Sequence, residues 1–140
     1  MPVQFFFTQQ NISLRHRTHL KKFIASIFKK EKKHLKSLVY VFCSDKELLD
    51  INREFLSHDY YTDIITFTLS EQRGGIEGEV YISIDRIKEN ARSHEQTIQS
   101  ELHRVMFHGA LHLCGFKDKS GAEKKKMTSK EDQYLSLYFM

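Results

Sequence analysis

The sequence predicts an α/β (α+β) fold: a mixed four-stranded sheet covered by helices, with one central helix apolar on every side. Three observations predict it. Strand-like runs and helical stripes follow one another as strand, helix, strand, helix, strand, strand, then helices. A helix-length crossover separates the first two strand-like runs, which favours parallel pairing. A short loop around Gly74-Gly75 separates the last two, which favours an antiparallel pair.

Each element has a local reason. Val3 to Thr8 is apolar and aromatic, and Phe5, Phe6 and Phe7 suit a core strand. Ser13 is placed to cap a helix running to about Lys33, along which Leu14, Leu20, Phe23, Ile24, Ile27 and Phe28 form a stripe. Lys36 to Phe42 is β-branched and aromatic. Ser44 with Glu47 is a capping box that opens a short helix through Leu48, Leu49, Ile51, Asn52 and Phe55. Thr62 to Leu69 and Gly78 to Ile84 are strands, and Asp85 opens a short helix. A longer helix runs from about Gln96 until Gly115 stops it, and a last one spans Ala122 to Tyr138.

Length and composition bound the rest. The chain has 140 residues, 40% of them hydrophobic, with eleven Phe and a single Pro, enough apolar side chain for one core and no linker between two. One domain over residues 1–140 is expected. Disorder, collagen and a disulfide scaffold are excluded by composition. No apolar run approaches the roughly 18 residues that span a bilayer. The start, Met1-Pro2-Val3-Gln4, lacks the basic region of a signal peptide, and two distant cysteines, Cys43 and Cys114, suit a reducing cytoplasm.

The net charge of +4 is unevenly spread. Arg15 to Lys36 carries nine basic residues against Glu31 alone, Ser37 to Phe116 seven basic against thirteen acidic, and Lys117 to Met140 six against four. Cationic flanks surround an acidic centre. Charge runs alone are more often solvated helix faces than a footprint for nucleic acid, so composition leaves both readings open.

The chemistry lies in His108-Gly109-Ala110-Leu111-His112-Leu113-Cys114-Gly115-Phe116-Lys117-Asp118. Histidines four apart on a helix stack on one face, the spacing that offers two imidazoles to one metal ion. Leu102, Val105, Met106, Ala110, Leu111, Leu113 and Cys114 leave no polar face around them, so the helix is expected to run through the interior. Gly115 can reverse the chain and carry Asp118 back to the histidine face. Two histidines and a carboxylate make a three-ligand metal site with an open position. Gly109 costs about 1 kcal/mol relative to alanine, so close approach by sheet backbone or substrate is expected there. A peptidase helix of this type carries Glu directly after the first histidine, where Gly109 stands, so peptide cleavage lacks its base.

This stretch resembles the H-G-x-L-H-L-x-G-[FY]-D-H signature of the YbeY family, metal-dependent endoribonucleases that mature ribosomal RNA. Leu49-Asp50-Ile51-Asn52-Arg53 followed by Thr62-Asp63-Ile64-Ile65-Thr66-Phe67 resembles its L-N-x-x-Y-R … T-D-V-L-S-F block. Glu77 to Ser83 resembles its L-G-D-I-x-I-S strand, and Lys126-Met127 with Glu131 to Leu135 its last helix. The likeness runs from about Asp45 to Leu135. It departs at Asp118, where the family has its third histidine, at Lys117, where it has aspartate, and at Leu56, where it has an arginine.

The resemblance implies a single-strand-specific endoribonuclease acting at the 3′ end of small-subunit ribosomal RNA and in ribosome quality control, in the cytoplasm. His108, His112 and Asp118 would hold one Zn²⁺, which polarises a phosphoryl oxygen or activates water. His108 and His112 are thereby catalytic, and Arg53, three residues before Leu56, stands in for the missing arginine. Ribosomal RNA and the small subunit are the implied partners, with no membrane and no small-molecule cofactor. Basic residues of the first helix and the tail would hold phosphates. A ribosome-associated RNA-binding factor with a structural metal, and a metal-dependent hydrolase of another substrate, are the competing readings. His103, five residues before His108, is expected to face elsewhere as an ordinary surface or packing histidine, Cys114 to be a buried hydrophobe, and Thr62 and Asp63 either to line the cleft or to bond at a strand start.

Overall fold

A computed structural model describes residues 2–9 and 12–140. The elements are β1 (Val3–Phe7), α1 (Arg17–Lys30), β2 (Leu35–Cys43), α2 (Asp45–Leu56), β3 (Ile64–Ser70), β4 (Ile76–Ser83), α3 (Ile84–Ser93), α4 (Ile98–Leu113) and α5 (Gly121–Tyr138). The sheet order is β1-β2-β4-β3. β2 pairs parallel with both β1 and β4, and β3 closes the far edge antiparallel to β4, so the sheet is mixed as expected.

Alternation along the strands divides the interior in two. Phe42, Val80 and Ile64 face the main core, where α1, α4 and α5 pack. Their neighbours Cys43, Tyr81 and Ile65 face the other way, into a small cluster closed by Leu48 and Ile51 of α2. α4 lies across the main face, and its seating depends on two glycines. A Cβ at Gly109 would meet Val80 at 3.0 Å and Ile64 at 3.2 Å, and one at Gly78 would meet Leu113 at 2.7 Å. Sheet side chains, rather than the sheet backbone or a substrate, explain Gly109. The buried Tyr40 hydroxyl donates to the Met106 carbonyl at 2.7 Å, fixing β2 to the same helix.

Some boundaries differ from the sequence reading. α1 begins at Arg17, because His16 takes a left-handed conformation (φ 53°) and Ser13 is not its cap. The preceding segment instead buries Leu14 and offers the Ser13 carbonyl to Gln99. β3 starts at Ile64, just after Thr62 and Asp63, although the Asp63 carbonyl still accepts from the Ser83 N–H of β4 at 3.0 Å. The Ser44–Glu47 capping box is present as expected, and a second one, Ser120–Glu123, opens α5. No helix among the described residues is long and apolar enough to cross a membrane.

Candidate active site

α4 ends in a Schellman turn. Phe116 N–H donates to the Leu111 carbonyl at 3.1 Å, Gly115 N–H donates to that of His112 at 3.0 Å, and Gly115 takes φ 106°. The chain therefore doubles back, and Asp118 returns to the helix face it left. His108 Nε2 lies 3.3 Å from Asp118 Oδ2. Both groups, with His112, line a cleft of about 440 Å³ between α4, α5 and the start of β3.

The structure thus gathers His108, His112 and Asp118, and leaves Arg53 elsewhere. Arg53 sits on α2 with its guanidinium held by Asp59, and Asp50 lies 3.9 Å away. It is not part of the cleft lining.

Residues that sequence reasoning passed over complete the cleft. Glu131 of α5 is buried and accepts from both Arg104, at 2.8 Å, and His108 Nδ1, at 2.7 Å. Arg104 also donates to Asp132 at 2.5 Å. Glu101, Arg104, His108 and His112 stand at i, i+3, i+7 and i+11, one helical stripe facing the cleft. The expectation of an apolar helix on all sides is corrected here. The polar stripe is one side chain wide, which apolar counting overlooks; the i+3 and i+7 spacing was its signal. Its outer end is open: His108 is half-buried and His112 exposed.

Charge in the cleft is strongly negative. Asp63, Glu101, Asp118 and Glu131 face it against the single guanidinium of Arg104. Burial pushes the Asp63 carboxyl above the ordinary range, against the charges of His108 and Arg86. Burial likewise raises Glu101, with His94 opposing. For His108 burial disfavours the charged ring, but the hydrogen bond and charge of Glu131, with Asp118 and Asp63, outweigh it and raise its pKa.

The donor chemistry fits a metal ion. A neutral His108 that donates from Nδ1 to Glu131 presents a lone pair at Nε2. A lone pair facing a carboxylate oxygen at 3.3 Å repels it unless a proton or a cation intervenes. As placed, no group of three His, Cys, Asp or Glu side chains among the described residues closes around a metal position. Cys114 is buried and lies outside the cleft lining, its thiol pushed up to about 12, chiefly by burial. His103 packs away from the cleft, stacked on Tyr138 at 5.2 Å, as expected. Thr62 and Asp63 line the cleft and also bond at the strand start, where the Thr62 hydroxyl donates to the Ile64 carbonyl at 3.3 Å and the Asp63 carbonyl accepts from Ser83 N–H at 3.0 Å.

Comparison with known proteins follows the same lines. The family described as Endoribonuclease YbeY matches residues 4–138. A protein of that name from Cytophaga hutchinsonii is 53% identical over 134 residues, 95% of this chain and 94% of its own. One from Flavobacterium psychrophilum is 42% identical over 128 residues, 91% of each chain. A solution structure of a Thermotoga maritima protein superposes with a TM-score of 0.68 at 29% identity, covering 95% of this chain and 86% of that one.

Proposed function

The chain belongs to the YbeY endoribonuclease family, and on that premise we propose that it hydrolyses phosphodiester bonds in single-stranded RNA with one metal ion held by His108, His112 and Asp118. The convergence of those three side chains in one cleft, with Glu131 behind His108, is the observation that carries the reading. The family likeness points to zinc as the metal. It also points to ribosomal RNA as substrate, the 3′ end of the small-subunit RNA within the ribosomal small subunit, and to a cytoplasmic role in maturation and quality control.

When bound, the metal supplies Lewis-acid stabilisation of the phosphoryl group and a more acidic water. The chain's own residues set up that chemistry. Glu131 fixes the His108 ring through Nδ1, so that Nε2 points into the cleft, and Arg104 holds Glu131 in turn. Asp63, a carboxyl with raised proton affinity in the same cleft, is suited to hold a proton taken from the attacking water. Asp118, where the family has a third histidine, would add negative charge to the ligand set and so weaken the Lewis acidity of a bound metal. Arg53, held by Asp59 on the surface of α2, would serve RNA binding rather than the reacting atoms.

Cleavage of a single-stranded RNA and of its duplex by zinc-loaded protein tests the reading. The wild type should cut the single strand internally, and His112→Ala should lower the rate by at least about 10³-fold, a loss on the scale of several kcal/mol of transition-state stabilisation. Undiminished cutting by His112→Ala would overturn it. RNA binding without cleavage by the wild type would favour the RNA-binding factor with a structural metal.

A further inference from the structure

The cleft attracts a cation but repels a polyanion. Four carboxylates face it, and its one guanidinium is already bonded to Glu131 and Asp132. Apart from a metal ion held there, the described residues of the cleft offer a phosphate backbone no free cation, so contacts outside it can offset repulsion at the reacting bond.

A second depression, of about 370 Å³, lies beyond the end of α4. Lys32, Lys33 and His34 line it from the turn after α1, Arg73 and Glu71 from the β3–β4 loop, and Gly115 from the α4 cap. Its walls are fixed to each other. Ile76 N–H donates to the His34 carbonyl at 2.8 Å, and Gly75 (φ 105°) lies so close to His34 that a Cβ there would come within 2.5 Å of the ring. The ladder irregularities of β2 and β3, at Leu35/Ser37 and Thr68/Ser70, fall at this same end of the sheet.

Nearby cations are already committed: Lys36 pairs with Glu77 at 3.0 Å and Lys130 with Glu31 at 3.1 Å. Among the described residues Lys32, Lys33 and Arg73 are exposed and form no such pair, and Glu71 is the one carboxylate in the groove. Gly115 lines the groove, and a Cβ there would touch nothing within 4 Å; His112 and Asp118, three residues to either side of it in the chain, line the cleft. Lys117, in the same stretch of chain, is exposed.

We propose that Lys33 and Arg73, with Lys32 beside them, form a backbone-phosphate subsite for the RNA strand whose scissile bond lies in the cleft, the strand crossing at Gly115. The inference rests on the RNA-cleaving reading above. It makes the subsite a positioning device, remote from the reacting atoms, that only a strand long enough to reach from the cleft to the groove can use.

The experiment compares a trinucleotide with a longer single-stranded RNA on the wild type, Lys33→Gln/Arg73→Gln and Lys33→Glu/Arg73→Glu. Affinity of the longer strand should fall about tenfold or more, most in the Glu pair, and the salt slope should shrink by about 1.4, roughly 0.7 for each phosphate no longer neutralised. Trinucleotide cleavage, bound metal and melting temperature should hold. Unchanged affinity and slope for the longer strand would overturn the subsite, and so would an equal loss for both lengths, which marks a general field effect or a folding defect. A wild type that cleaves both RNAs while the variants match it refutes the subsite alone. A wild type that neither binds nor cleaves RNA refutes the functional reading and the subsite with it.

Discussion

Glu131 turns a pair of histidines into a directed donor set. Its carboxylate is buried, accepts from Arg104 and His108 Nδ1, and so decides which nitrogen of the ring faces the cleft. Glu131→Gln should therefore lower zinc affinity by about 10–100-fold while His108 and His112 remain, read by titration calorimetry; an unchanged affinity would remove the orienting role. His103 gives a separate prediction. Burial among Phe107, Tyr138 and Phe139 lowers its pKa from the usual value, with the Gln99 carbonyl at 2.6 Å opposing. As pH falls, the unfolded chain takes up this proton before the folded chain does. The stability from neutral His103 is full above about pH 6.5 and is lost as pH falls from there through the folded pKa. Between about pH 7 and 5 the melting temperature of the wild type should thus fall more steeply than that of His103→Gln, whereas parallel curves would contradict it. At this scale legibility followed sequence distance. His108, His112 and Asp118 lie within one short segment whose spacing and glycine stop can be read directly. Glu131 and Arg104 meet only because α5 packs on α4, which periodicity does not encode.

The helix ends show the same division. Gly115 announces the end of α4, since glycine takes φ > 0 at little cost. Lys32 (φ 62°), Ser57 (φ 56°) and Glu95 (φ 53°) take the left-handed conformation without that signal, so α1 stops at Lys30, short of the Lys33 that its sequence suggests. At α3, Gln96 N–H donates to the Ala91 carbonyl at 2.8 Å with Glu95 at the left-handed position. An L-residue there costs about 1–2 kcal/mol, and a carboxylate at a helix C-terminus opposes the dipole. Glycine loses about 0.5–1 kcal/mol of that advantage through the unfolded chain. Glu95→Gly should stabilise by about 0.5–1 kcal/mol, seen as a melting point higher by a few degrees; a lower melting point would contradict the account. The parallel first pair and the antiparallel last pair were legible because crossover length and Gly74-Gly75 constrain topology; the order β1-β2-β4-β3, which sets β2 beside β4, was not, because it is decided by packing between distant segments. The polar stripe of α4 is marked only by its i+3 and i+7 spacing, because four residues among sixteen barely alter the helix's apolar character.

Across the molecule, the uneven charge acquires a place. The acidic centre of the sequence supplies Asp63 and Glu101 to the cleft, and the cationic flanks lie around the α1 turn and on α5. Fold position sets this arrangement: β3 lies at the sheet edge, the stripe of α4 faces the cleft beside it and opens at its His112 end, and the Schellman turn brings Asp118 to that end. Everything proposed for the cleft depends on its holding a metal. Elemental analysis of zinc per chain, after loading and desalting, in the wild type, His112→Ala and Asp118→Ala tests this most directly. The account predicts about one equivalent in the wild type, as a three-ligand centre requires, and near-complete loss in both variants. A wild type without metal, or variants that keep it, would contradict the proposed centre.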